Sequence, residues 1–185
     1  MMPIVQNGDP VLRKTATEVP LSDIGTPKLK KVLKDMAEAL DSQDDGVAIA
    51  APQIGVSLRI FLVSKAALKM PDDAEERKKM TNRKELKKDA GYLTFINPVI
   101  SKLSRDKAVL DEGCLSVRPL YGKIKRSKKA TVRAYDEKGN LFERGASGLL
   151  AQIFQHETDH LEGILFIDTA KDLKEMPLTE EVHSN

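Results

Sequence analysis

The chain has no tryptophan, a single cysteine and only 4% aromatic residues among its 185. One cysteine, Cys114, excludes an intramolecular disulfide and fits a reducing compartment. No stretch approaches the roughly 20 consecutive apolar residues that a membrane-spanning helix requires, so no membrane role is expected. The first nine residues lack both a basic start followed by an apolar run and an Arg/Ser-rich amphipathic leader, and a cytoplasmic location is the expectation. A net charge of +2 is too small for a globally basic nucleic-acid binder, which argues against specific DNA binding.

What is present is the profile of one soluble globular domain, with 41% hydrophobic and 31% charged residues. Residues 26–40 predict an amphipathic helix: Thr26 can cap it, Pro27 suits its first turn, and Leu29, Leu33, Met36 and Leu40 recur at helical spacing. Residues 58–63 and 92–100 are rich in β-branched and aromatic side chains and predict strands. Between them, 65–91 is dense in charge and poor in apolar period, and reads as a surface insertion. Residues 129–144 predict a hairpin turning at 136–140. Ser147 can cap a last helix whose apolar face holds Leu149, Leu150, Ile153, Phe154 and Leu161 and which ends near Gly163. Strands followed by a late helix predict an α+β fold. The expected division is a catalytic domain over 1–170 and an acidic, mobile tail over 171–185.

The late helix contains His156-Glu157-Thr158-Asp159-His160, the HExxH pattern. Residues four apart share a helical face, so both imidazoles can reach one metal ion while Glu157 can address a water beside it. Taken alone the pattern also serves unrelated zinc endopeptidases. Cys114, in Glu112-Gly113-Cys114-Leu115-Ser116, would supply a third ligand and leave one position open, the arrangement of a catalytic metal site. Taken alone it reads as a small buried hydrophobe. A third stretch, 46–55, is uncharged and rich in small residues, which allows another backbone to approach. Within it, Gln53 could donate to a developing oxyanion. Residues 121–129 form a basic run that would either attract ribosomal RNA or be a solvated strand edge blunted by lysines.

Together these stretches closely resemble the three signature motifs of the peptide deformylases: a GxGxAAxQ stretch, EGCLS and QHExDH. Residues 7–13 are similar to that family's start and 161–166 to its usual continuation, so the likeness runs from Ile4 to Asp168. It implies mixed or antiparallel sheets packed around a central metal-binding HExxH helix. It implies that Cys114, His156 and His160 hold one divalent metal, iron(II) in the cell with zinc, nickel or cobalt as replacements, although the ligand types alone would suggest zinc. Glu157 would be the general base, with the Leu115 N–H and the Gln53 amide as oxyanion donors. The substrates implied are N-formylmethionyl nascent peptides, with transient ribosome contact. They would lie extended between Gly46, Val47, Ala48 and Gly113, with Ile49, Leu149, Ile153 and His156 around the methionine side chain. Ala48 stands where the family pattern has its second glycine, so an added methyl bears on substrate fit rather than on metal binding. The competing expectation is a non-catalytic peptide-binding or ribosome-associated module retaining the fold.

Overall fold

The computed structural model describes residues 2–88 and 90–175. Helix α1, Pro27–Asp41, begins where Thr26 Oγ1 accepts from the Leu29 N–H at 3.3 Å, with Pro27 in the first turn. It buries Leu29, Met36, Ala39 and Leu40. Strands β1 (Ala48–Ala50), β2 (Ile60–Ser64), β3 (Tyr92–Leu103), β6 (Lys129–Tyr135) and β7 (Leu141–Ser147) form a five-stranded sheet in the order β1-β2-β3-β6-β7. Strands β4 (Lys107–Gly113), β5 (Leu120–Ser127) and β8 (Lys171–Glu175) form a second sheet in the order β4-β5-β8. Every pairing in both sheets is antiparallel, and the architecture is α+β.

The larger sheet is buried on both faces because its inner strands are apolar at consecutive positions. Period-two alternation sends Phe61, Val63 and Phe95 to one face, and Ile60, Leu62 and Ile96 to the other. The second face packs on α1 through Leu29, Met36 and Leu40. Helix α4, Gly148–Leu161, covers the first face through Leu149, Ile153, Phe154 and Leu161, and also contacts β5 of the smaller sheet. An aromatic joint fixes this contact: Phe61 and Phe95 stack with centroids 4.5 Å apart, and Phe154 of α4 meets Phe95 edge-on at 5.1 Å.

Two local expectations are corrected. Ser147 precedes α4 but makes no side-chain capping hydrogen bond. Asp72 does so instead, its Oδ1 accepting from the Leu149 N–H at 2.8 Å. The carboxylate lies so close to Gly148 that a Cβ there would stand 2.0 Å from it. Asp72 belongs to the 65–91 segment, which buries Ala66 and Ala67 at its start, has no buried residue among those described from 71 to 90, and carries two short helices, α2 (Ala74–Lys78) and α3 (Arg83–Lys87). The basic run is the other case. β5 lies between β4 and β8, so it is no sheet edge, and its alternation buries Ile124 and Arg126 while exposing Lys123 and Lys125. The expected tail starts at β8, whose residues are exposed but paired with β5; 176–185 lie outside the described residues.

The hairpin turn is held by Asp136, whose Oδ1 accepts from the Lys138 and Asn140 N–H groups. At the end of α4 the Ile164 N–H bonds back to Asp159 O, and Gly163 has φ +73°. A side chain at Gly163 would also meet the Arg13 carbonyl at 2.7 Å, so both conformation and space require glycine. Because Phe154 is fully buried between sheet and helix, Phe154→Ala should reduce the unfolding free energy by about 3–5 kcal/mol. Urea denaturation followed by circular dichroism checks this.

Candidate metal centre

Each motif arrives at the site on a different element. Cys114 follows the last residue of β4, and His156 and His160 stand one turn apart on α4. Their ligand atoms all lie within 4.8 Å of one another, with Cys114 Sγ and His160 Nε2 at 3.2 Å. Gly113 must be small: a Cβ there would fall 2.4 Å from the Tyr121 ring of the neighbouring strand. The Ser116 N–H and the Gln53 amide approach Sγ at 3.4 and 3.5 Å.

A chain of buried charge lies behind the histidines. Glu112 Oε1 is 2.6 Å from His156 Nδ1, and the same carboxylate is gripped by Arg126 through Nε at 3.1 Å and Nη2 at 2.6 Å. Arg126 Nη1 also donates to Asp159 at 2.6 Å, one residue before His160. Gln152 Nε2 completes the set, donating to Glu112 Oε2 at 3.2 Å. Burial alone would raise the Glu112 pKa, but His156 and Arg126 hold it down to about 2. Glu112 is therefore ionised at neutral pH and accepts from His156 Nδ1, which leaves Nε2 as the nitrogen that would offer a lone pair once a metal ion takes the place of its proton. Gln155 pins the helix to β5 by exchanging hydrogen bonds with Ser127 N and O, both at 2.9 Å.

These residues fit a divalent cation. Burial, and then the neighbouring His156, hold the His160 pKa well below that of free imidazole, which keeps its ring neutral. Burial opposes protonation of His156 as well, but Glu112 and Cys114 overcome it and raise that pKa well above the usual value. A pocket that favours positive charge on one imidazole, with a sulfur ligand and a neutral imidazole beside it, suits a metal ion as well as a proton. Soft sulfur with two imidazoles selects a transition metal over magnesium or calcium. Glu157 is only 4% exposed, its Oε2 has no hydrogen-bond partner, and burial pushes its pKa up to about 7.

Beside this cluster lies a cavity of about 620 Å³. Gly46, Val47, Ala48, Gln53, Gly113, Cys114, Leu115, Leu149, Ile153, His156 and Glu157 all line it. His160 is buried behind the cavity wall. Ile49 is the exception and a correction: alternation along β1 turns it away from Ala48 and Ala50, and it packs fully buried in the α1-side core. Ala48 sits in an extended strand paired with Val63, without positive φ, so the backbone there does not need glycine and the methyl becomes part of the wall. Gln53 is 1% exposed, its Oε1 accepting from the Ala50 N–H at 2.8 Å and its Nε2 donating to Ser116 Oγ at 3.1 Å.

Sequence reasoning gave no role to Glu112, Arg126, Asp159 or Gln152. Glu112 and Asp159 stood inside the quoted motifs. Arg126 was detectable only as an inward position of β5, in phase with Ile124. Glu112→Gln should weaken cobalt or zinc affinity by about tenfold to a hundredfold while the far-ultraviolet circular dichroism stays native; chelator competition reads the affinity.

The sequence model described as polypeptide deformylase matches residues 1–176. A peptide deformylase of Pseudothermotoga lettingae is 40% identical over 161 residues, covering 87% of this chain and 78% of that protein. The chloroplastic/mitochondrial peptide deformylase 1A of Arabidopsis thaliana is 37% identical over 89% of this chain. This chain spans about 60% of the length of the plant relatives it matches. Among solved structures, the Met-Ala-Ser-bound class I type b peptide deformylase of Acinetobacter baumannii superposes with a TM-score of 0.76 at 27% identity, covering 91% of this chain and 98% of that one. Motifs, antiparallel architecture and relatives agree, and the chain belongs to the polypeptide deformylase family.

Proposed function

We propose that this chain is a metal-dependent hydrolase that removes the N-formyl group from the initiator methionine of nascent polypeptides, releasing formate. The convergence of Cys114, His156 and His160 within 4.8 Å, beside a cavity that Glu157 also lines, is the observation that carries this reading. In it, those three residues hold one divalent ion on α4, the helix around which both sheets are arranged. Iron(II) occupies the site in the cell, and zinc, nickel and cobalt can replace it. When bound, the ion supplies Lewis acidity and makes water acidic enough to act as a nucleophile near neutral pH.

The protein's own groups do the rest. Glu157 accepts the proton of the attacking water at its carboxylate and returns it to the departing amine. The Gln53 amide, held by Ala50 and Ser116, and the Leu115 N–H, which has no acceptor among the described residues, donate to the oxygen that gains charge in the transition state. The peptide lies extended along Gly46, Val47 and Ala48 on one side and Gly113 on the other, as an added strand. Leu149 and Ile153, joined by Met70 on the same wall, surround the methionine side chain. The catalytic domain spans 1–170, the protein works in the cytoplasm, and its ribosome contact is transient, through the exposed lysines of β5.

Protein loaded anaerobically with iron or nickel should release formate from formyl-Met-Ala-Ser, whereas metal-stripped protein and the acetylated peptide should give none. No release with metal bound would instead favour a peptide-binding module. Glu157→Gln should keep its metal, read by atomic absorption, and lose about a hundredfold to ten-thousandfold in kcat. The base must be ionised, so activity falls as pH drops through the Glu157 pKa. A cation beside the carboxylate favours its ionised form, so the acid limb of the kcat/KM profile of the metal-loaded enzyme should have its midpoint below about 7.

A further inference from the structure

One wall of the cavity comes from the segment between β2 and β3 and carries two arginines that the reaction above does not use, Arg77 and Arg83. Both are half-buried. Arg77 Nη1 donates to Pro71 O and Asp72 O at 2.8 and 2.6 Å, and Arg83 Nη2 donates to Arg77 O at 2.5 Å. Neither guanidinium has a carboxylate within ion-pair distance among the described residues, and Arg83 Nε is buried without a hydrogen-bond partner. A guanidinium has five N–H donors, so both keep donors to spare. They also repel one another: burial, and then the Arg83 charge, lower the Arg77 pKa, and the more distant Asp72, Asp73 and Asp111 offset this only in part.

The acidic groups nearby are largely committed elsewhere. Asp44 pairs with Lys84 at 2.9 Å, Asp45 with Arg118 at 2.5 Å, and Glu112 with Arg126. Asp72 and Asp73 accept from the Leu149 and Glu76 N–H groups. Asp111, exposed on the cavity, forms no ion pair among the described residues and attracts Arg77 only from a distance. Helix α3 is fixed next to the substrate path, because Lys87 Nζ donates to Leu40 O and Gln43 O, just before Gly46. Two partly desolvated cations with no carboxylate in direct contact are an unfavourable arrangement that an incoming anion relieves.

We propose that Arg77 and Arg83 form a subsite for a carboxylate on the peptide beyond its methionine, so that the enzyme prefers acidic residues close to the substrate's N-terminus. This rests on the deformylase reading of the same cavity. The acidic side chain, not a free C-terminus, is the ligand, since a nascent chain presents no C-terminal carboxylate there.

The test uses metal-loaded protein and amidated formyl-methionyl tetrapeptides carrying Asp, Asn or Lys once, at the second, third or fourth position. At one of these positions the Asp peptide should show a KM lower than its Asn counterpart by about three- to tenfold, with kcat changing less. Arg83→Gln should bring the ratio to about one, and Arg83→Glu should shift preference to the Lys peptide, an inversion that a merely loosened wall would not produce. Calorimetric titration with the deformylated peptides reads the same preference without turnover. The subsite is refuted if Asp has no advantage at any position in either assay, or if the advantage survives in Arg83→Glu. Preference in calorimetry without formate release would sustain the subsite and count against the proposed reaction alone.

Discussion

The buried contact between Glu112 and Arg126 is the interaction on which the site's geometry depends. As a source of stability such a pair is weak, since removing two charges from water costs several kcal/mol each and packed apolar residues often replace them without loss. Its effect is orientation. Arg126 holds Glu112 bidentately, and the Glu112 oxygen it shares with His156 sets that ring's tautomer and direction. The same guanidinium reaches Asp159 on the next turn of α4. One cation on β5 thus connects the smaller sheet, the strand leading into Cys114, and the helix bearing both histidines. The Cys114, His156 and His160 side chains come together because these elements are tied by charge at their meeting point and by the Phe61, Phe95 and Phe154 contact farther along the helix.

Much of this was legible in the sequence because it rests on local rules. The helical spacing of Leu29, Leu33, Met36 and Leu40 predicted α1 to within a residue, and Asp136-Glu137-Lys138-Gly139-Asn140 located the hairpin turn. The motif residues were legible for a different reason. HExxH fixes its own geometry through the helix repeat, while Cys114 acquired meaning only when the motifs were taken together.

The parts that escaped are tertiary. Nothing in Lys123-Ile124-Lys125-Arg126 marks the last residue as a buried counter-ion until β5 is known to lie between two strands. Ile49 looked like a wall residue beside Ala48, yet one step along a strand reverses the face. Ser147 offered a local cap, and a carboxylate from a segment 75 positions away took the role. Charge density told only that this segment is largely solvated, not where it is anchored. The segment's Asp72 and Lys87 attach it to the start of α4 and the loop before β1, so two of its arginines end inside the cavity.

The same cavity shows how one fold gives two neighbouring carboxylates opposite characters. Glu112 and Glu157 are both almost fully buried, and desolvation pushes both toward the neutral form. Glu112 faces Arg126 and His156, and its attraction to them exceeds the desolvation penalty, so it stays ionised at about 2. Glu157 has no comparable partner, and its pKa rises to about 7. A carboxylate that never releases its charge is suited to orienting an imidazole, and one poised near neutrality is suited to exchanging a proton. The division follows from which element each residue sits on. Glu112 sits near the end of a strand whose neighbour supplies an arginine, and Glu157, one residue along α4 from His156, is turned from that arginine toward the cavity.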